Sequence, residues 1–234
     1  MKKIILIAAI AVCSISSQAQ VSFGAQVGAN LAMGHTTNDD PLTSAYTLTN
    51  DPKVGFLIGV LGEVDFGKIA FRPELNFIQK GSKSGYSGIV FGGYDNSNKR
   101  TLNYIEIPLN VVYNLEIGKA GKVFFGLGPA IGIGLSGKDK LNDVDANGYP
   151  ITVKRDVKFD GKKDADATDG KAHLKRLDVG ASILAGYQLP MGLFAKLSYT
   201  YGFMDIDADT YYKYKNRGFS ICIGYMLGGK KDKK

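Results

Sequence analysis

Eight stretches of this chain alternate apolar residues with polar or very small ones, and no other feature constrains its fold as tightly. In the first, "VSFGAQVGANLAM", every odd position is apolar: Val21, Phe23, Ala25, Val27, Ala29, Leu31 and Met33. The even positions are Ser22, Gly24, Gln26, Gly28, Asn30 and Ala32. A period of two belongs to a strand with one oily face. The pattern returns at 54–66, 69–81, 102–114, 122–137, 176–188, 193–205 and 217–227. Each segment has at least the roughly 9–11 residues that a tilted strand needs to cross a bilayer. The links alternate in length: short at 67–68, 115–121 and 189–192, long and polar at 34–53, 82–101, 138–175 and 206–216. Short turns at one end and long loops at the other predict an all-β fold, an eight-stranded antiparallel transmembrane up-and-down β-barrel with both termini on the periplasmic, short-turn side.

A water-soluble barrel with an apolar interior writes the same alternation. The opposite face of each strand separates the two. On the fifth segment it reads Phe124, Gly126, Gly128, Ala130, Gly132, Gly134 and Ser136. Glycine weakens a solvent-washed strand, so this row of tiny residues suits a crowded interior. Glu63, Asp65, Arg72, Glu74, Glu106, Asn110, Asp178 and Lys196 share the inward parity. They include both signs of charge, and an eight-stranded barrel is just wide enough for side chains to fill. The oily face sorts its aromatics by height. Phe23, Phe66, Phe71, Tyr113, Phe125, Tyr187 and Tyr225 fall near the short-turn end; Phe56, Phe77, Tyr201, Phe203 and Phe219 fall near the other. Two aromatic belts around an aliphatic middle are expected of an interfacial girdle. The oily face is therefore expected to touch the lipid bilayer.

Residues 1–19 read as a secretory signal peptide. Lys2 and Lys3 precede the apolar "IILIAAIAV", and "SSQAQ" offers a cut near Ala19. A lipoprotein cut before Cys13 is the alternative, disfavoured by the bulky Val12. The barrel domain is expected over 20–228, followed by a basic tail at 229–234 that is solvated or lies beside anionic headgroups. Without residues 1–19, 27 basic residues face 22 acidic ones. That mild excess, with no long run of one sign, argues against a nucleic-acid partner. Cys222 would then be the only cysteine, expected to be a buried, inert thiol.

Five blocks, "FRPELNFIQKG", "NYIEIPLNVVYNL", "LDVGASILAGYQL", "YTYGFMDID" and "FSICIGYMLG", resemble in order those of the PorT-like outer-membrane β-barrel family. Its members are often labelled porin-family or outer membrane protein β-barrel domain proteins. The resemblance covers about residues 20 to 228. It implies fold and a cell outer membrane location, and says little about activity. It also implies that Pro73–Glu74 and the Glu106–Pro108 motif sit on strands. One departure is the C-terminus: many outer-membrane barrels end on an aromatic residue read by the barrel assembly machinery. Here Tyr225 or Leu227 must supply that signal internally.

Several residues are candidates for chemistry. Pro73 and Pro108 interrupt strands that should be fully paired, so a bulge or local break is expected at each. The lumen charges Glu63, Arg72, Glu74, Glu106, Asp178 and Lys196 form a candidate cluster, with Arg72 expected close to Glu74 and Glu106. A structural ion-pair cluster is favoured over a proton or ligand site, because lone charges at low dielectric must be neutralised. In "NDVDANGYPI", Asp143, Asp145, Asn147 and Gly148 match the opening of a calcium loop, but Lys154 stands where the bidentate Glu is needed. Asn147–Gly148 is equally a hairpin turn signal, and a hairpin extending the barrel is favoured over a metal site. The charged stretch 160–173 is expected to be mobile. A lipid A-modifying site would have to use His35 or His173, with Ser44, Ser82 or one of several loop Asp nearby, and no spacing fixes a triad. The expected role is therefore structural and interactive, with no catalytic residue and no cofactor. An extracellular or membrane partner would be met by the loops, through Tyr46, Tyr86, Tyr94, Tyr149, Tyr211, Tyr212 and Tyr214. A narrow porin-like channel is the alternative.

Overall fold

The alternating segments become strands in a computed structural model of the chain, which describes residues 20–38, 47–87, 98–144, 149–162, 169–208 and 212–228. The strands are β1 (Gln20–Asn38), β2 (Thr47–Asp51), β3 (Lys53–Asp65), β4 (Ile69–Ser87), β5 (Asn98–Glu116), β6 (Lys122–Val144), β7 (Pro150–Lys158), β8 (Ala172–His173), β9 (Leu177–Gln188), β10 (Leu193–Gly202) and β11 (Tyr212–Leu227). Eight of them, β1–β3–β4–β5–β6–β9–β10–β11, pair antiparallel in a ring. The ring closes where β1 meets β11, from Phe23↔Leu227 to Asn38↔Tyr212. Closure leaves the ring without an exposed edge, the condition for a sheet to span hydrocarbon.

The two faces separate as the parity requires. On β1, Gln26 and Asn30 are 3% and 2% exposed, whereas Phe23 and Val27 are 64% and 51% exposed. The outer wall continues through Ile58, Val60, Leu75, Val111, Leu127, Ile183, Leu197, Ile221 and Ile223, all exposed. An apolar surface of this extent is untenable in water and natural in lipid. Short turns join the strands at the end where β1 begins and β11 stops. At Gly67 (φ +97°) and Gly192 (φ +98°) the backbone takes the left-handed region that favours glycine.

Irregularity falls at the prolines and at one bulge. Pairing of β3 with β4 lapses between Leu61↔Glu74 and Val64↔Phe71, and pairing of β4 with β5 lapses between Pro73↔Leu109 and Asn76↔Glu106. A third lapse, beside Pro108 and Pro129, separates Pro108↔Ala130 from Val111↔Leu127. None of the three shifts the register. The bulge lies elsewhere: Asn103 pairs with Ser136 and Tyr104 with Gly134, so Leu135 is an extra residue on β6. Below it the even positions Gly132 and Gly134 face inward; above it the odd positions Gly137 and Asp139 do.

At the long-loop end the strands run further than the alternation suggests. β6 and β7 form a hairpin extending the wall, with Val144↔Pro150 as its last pair. β2 adds to the upper part of β4, and β8 lies parallel to β7. Phe159, Leu174 and Ile206 fold over the mouth as a cap and are buried. Backbone bonds tie the cap down: Leu174 N–H to the Lys158 carbonyl (2.8 Å), Lys175 N–H to Ile206 (2.8 Å) and Ile206 N–H to Tyr214 (2.9 Å). Mobility was the expectation for 160–173, yet Ala172 and His173 are buried in β8. The apolar neighbours Phe159 and Leu174 carry them into the mouth; residues 163–168 lie outside the described residues.

Candidate functional site

The lumen is built as alternating ionic and apolar layers. Nearest the short-turn end, β3 supplies Glu63, β4 Arg72 and β6 Lys122. The Arg72 guanidinium donates to Glu63 through Nε (2.7 Å) and Nη2, and Lys122 Nζ donates to the other carboxylate oxygen at 2.8 Å. The Arg72 guanidinium also lies 4.2 Å from the centre of the Phe124 ring. Phe124 opens an apolar layer with Leu61, Val112, Leu184, Phe194 and Met226. The glycine row of β6 now has a cause: a Cβ at Gly134 would run into the Phe159 ring and one at Gly126 into the Val112 side chain. The same crowding recurs on β9 and β11. Phe124 lies over Gly186 and Phe194 over Gly224, and a Cβ at either glycine would run into a ring.

Two ionic layers follow. Lys196 Nζ on β10 donates to both oxygens of Glu74 (2.6 and 2.7 Å), and Gln26 and Asn76 donate to the same carboxylate at 2.7 and 3.0 Å. Lys80 then bridges Glu106 (2.5 Å) and Asp178 (3.3 Å), and Asn216 donates to Asp178 at 2.9 Å. Tyr104, Leu57, Ile78, Leu102, Tyr214 and the cap residue Phe159 make the second apolar layer. Above it Arg100 donates to Asp139 at 2.8–3.3 Å, with its charge 5.2 Å from the Tyr214 ring centre. Buried charges persist only when paired, and each carboxylate of these layers has a cationic partner. The void left beside Lys80 and Glu106 is about 10 Å³, room for at most one water. At the short-turn end a vestibule of about 410 Å³ opens between the turns and stops at Glu63 and Lys122.

A family model for the outer membrane protein beta-barrel domain matches residues 17–208. The chain belongs to the outer membrane protein beta-barrel domain family. Membership places this family barrel in the outer membrane. Among solved structures it is similar to OprG of Pseudomonas aeruginosa (13% identity, covering 90% of this chain and 98% of that one, TM-score 0.49). It is also similar to Neisserial surface protein A (12%, 88% and 97%, 0.42) and to Ail of Yersinia pestis (14%, 89% and 99%, 0.39). No curated protein matches the chain in sequence.

The family barrel buries all six charges singled out in the sequence, Glu63, Arg72, Glu74, Glu106, Asp178 and Lys196. Their partners differ from expectation. Arg72 serves Glu63 and not Glu74 or Glu106, because the β3–β4 register, unshifted across the lapse, sets Glu63 directly opposite Arg72. Lys80 and Lys122 escaped notice although their parity is inward. Arg100 and Asp139 lie beyond the segment ends drawn from the alternation, and the bulge hides Asp139. Asp65 stays at the turn, accepting from the Gly67 N–H at 2.7 Å.

Outside the lumen, Phe23, Phe66, Phe71, Tyr113, Phe125 and Tyr225 are exposed on the outer wall near the short turns. Tyr187 is partly exposed there and donates to the Ala120 carbonyl at 2.5 Å. Near the other end Phe56 stacks on Phe77 at 5.6 Å and Tyr199 on Phe219 at 4.5 Å. His35 is exposed on β1. His173 is covered by its neighbours, its Nδ1 2.7 Å from Asp160 and its Nε2 3.2 Å from Asp169. Both nitrogens thus face carboxylates, Asp160 above all, which raises the imidazole pKa; Lys158 and His173 in turn lower that of Asp169. Ser82 is buried against the Tyr214 hydroxyl at 3.1 Å. Tyr214 itself corrects an expectation. It is a lumen residue, 2% exposed, because β11 begins well before the alternation suggests. Tyr149 is exposed, whereas Tyr46, Tyr94 and Tyr211, with Ser44, lie outside the described residues, as do the side chains of Tyr86 and Tyr212. Of the calcium candidates, Asp143 pairs with Ile151 in the hairpin, and Asp145 and Asn147 lie outside the described residues.

Proposed function

We propose that the protein is a plugged barrel of PorT-like kind, exported with a signal peptide cut near Ala19. It acts as a structural and interaction protein whose contacts are made at the long-loop end. The short turns face the periplasm, and Tyr225 or Leu227 supplies the signal to the assembly machinery. One observation carries this reading: the lumen charges are spent on one another in layers across the barrel, and the void beside Lys80 and Glu106 is only about 10 Å³. A lumen so filled serves to hold the loop end rigid, and loops on a rigid scaffold suit recognition.

The vestibule is the one observation that favours a channel, and it ends on the Glu63–Arg72–Lys122 layer. Single-channel recording on purified protein in planar bilayers tests the choice. The plugged reading expects an electrically silent bilayer; stable, ion-selective openings overturn it.

A further inference from the structure

Four lysines stand directly opposite one another across four strands of the outer wall. Lys83 on β4 pairs with Lys99 on β5, Lys99 with Lys140 on β6, and Lys140 with Lys154 on β7. All four are exposed, and none makes an ion pair among the described residues. Like charges directly opposite on neighbouring strands destabilise a sheet. A local choice that works against the fold calls for a compensating gain. Among the described residues, the carboxylates facing this area are Asp51, opposite Lys83, and Asp156, opposite Lys138 one row below.

What lies beneath the row identifies the occupant. Descending the same strands, the outward positions are Gly81–Thr101–Lys138, then Gln79–Asn103–Ser136, then Phe77–Ile105–Ile133. The polar row is a hydrogen-bonded chain, Gln79 to Asn103 at 3.3 Å and Asn103 to Ser136 at 3.0 Å. The wall therefore passes from hydrocarbon contact, through hydrogen-bonding groups, to a row of ammonium groups about 14 Å wide. That is the order of groups in a glycolipid standing beside the barrel: acyl chains, sugar hydroxyls, phosphates. A soluble polyanion would have no use for the apolar face that continues below.

The geometry points to a binding site for a phosphorylated glycolipid headgroup of the outer leaflet, its phosphates held by Lys83, Lys99, Lys140 and Lys154. The choice of leaflet rests on the proposed orientation, with the long loops outside; the binding chemistry does not. Detergent-solubilised full-length protein, freed of lipid, is titrated with bisphosphorylated lipid A, with its phosphate-free counterpart, with dextran sulfate and with inorganic phosphate. Replacing all four lysines by Gln is expected to weaken binding of the bisphosphorylated lipid by on the order of a hundredfold, at about fivefold per lysine with partial overlap. Replacement by Arg keeps it. The milder Lys99→Gln/Lys140→Gln pair guards against misfolding, and heat-modifiable gel mobility reports the folded barrel in every case. Equal binding by the Gln variants, or by the phosphate-free lipid, overturns the site. Tighter lysine-dependent binding of dextran sulfate or inorganic phosphate overturns the lipid as its occupant. Surface labelling of Lys154→Cys in whole cells tests the orientation separately.

Discussion

At Glu74 and Lys196 the barrel holds opposite charges that are each 3% exposed. Such a pair is weak evidence of stabilisation, because desolvation offsets most of the attraction, but losing one partner leaves a buried charge alone. Lys196→Met is therefore expected to cost about 3–5 kcal/mol, and Glu74→Gln/Lys196→Met far less than the sum of its parts. Urea unfolding in micelles, followed by gel mobility, measures both; additive losses would contradict the pairing. His173 makes a different demand, because it lies at the periphery, in the cap. Its folded pKa is raised, chiefly by Asp160, so its contribution is complete below the ordinary histidine value and is lost as pH rises through the folded value. Asp160 and Asp169 are lowered, so theirs is present above the ordinary carboxylate range and lost as pH falls through their folded values. The cap is thus held best between the two. Protection of the Leu174 amide, which bonds to Lys158, is expected to drop as the His173 imidazole titrates, with NMR following both.

Among the elements, β6 shows what a sequence can and cannot convey. Its lower half was legible because alternation fixes which face a side chain takes. Its upper half was not, because Leu135 inserts one outward residue and reverses the numbering parity, so "GKDKLNDV" loses its period and looks like a loop. The register makes a sharp prediction. Deleting Leu135 makes Asn103↔Ser136 and Tyr104↔Gly134 consecutive and keeps Asp139 inward, so the barrel is expected to form with its normal heat-modifiable mobility. Deleting Ile133 instead drives Leu135 into the place of Gly134, against the Phe159 ring, where there is no room for a side chain. Overpacking of this kind costs about 1–3 kcal/mol or more, and protease sensitivity of the cap is expected to rise. Equal behaviour of the two deletions would refute the bulge. The cap was illegible for a related reason. Phe159, Leu174 and Ile206 are single apolar residues in polar surroundings, and one residue carries no period. For the lumen, parity gave the face of each charge but not its partner, which depends on the stagger of the closed ring: Lys80 on β4 reaches Asp178 on β9.

For the molecule as a whole, the question is whether the plug is one lock or several. The ring has a width fixed by eight strands, so the lumen can open only by losing side chains. Each layer takes one charge from β4 and its partners from other strands: Glu63–Arg72–Lys122 on β3, β4 and β6, Glu74–Lys196 on β4 and β10, Lys80–Glu106–Asp178 on β4, β5 and β9. No single residue serves two of these ionic layers, so removing one layer leaves the others in place. Phe124→Ala/Phe194→Ala removes both rings of the lower apolar layer, above the Glu63–Arg72–Lys122 layer. Each change is expected to cost about 3–5 kcal/mol, lowering the urea midpoint while the bilayer stays silent. Conductance in that variant would mean that water already passes Lys196 and Lys80, and that Phe124 and Phe194 alone were the gate. Silence there, and silence still when Glu74 and Lys196 are also cut to Ala because Glu63–Arg72–Lys122 and Lys80–Glu106–Asp178 remain, is the outcome expected of stacked and independent barriers.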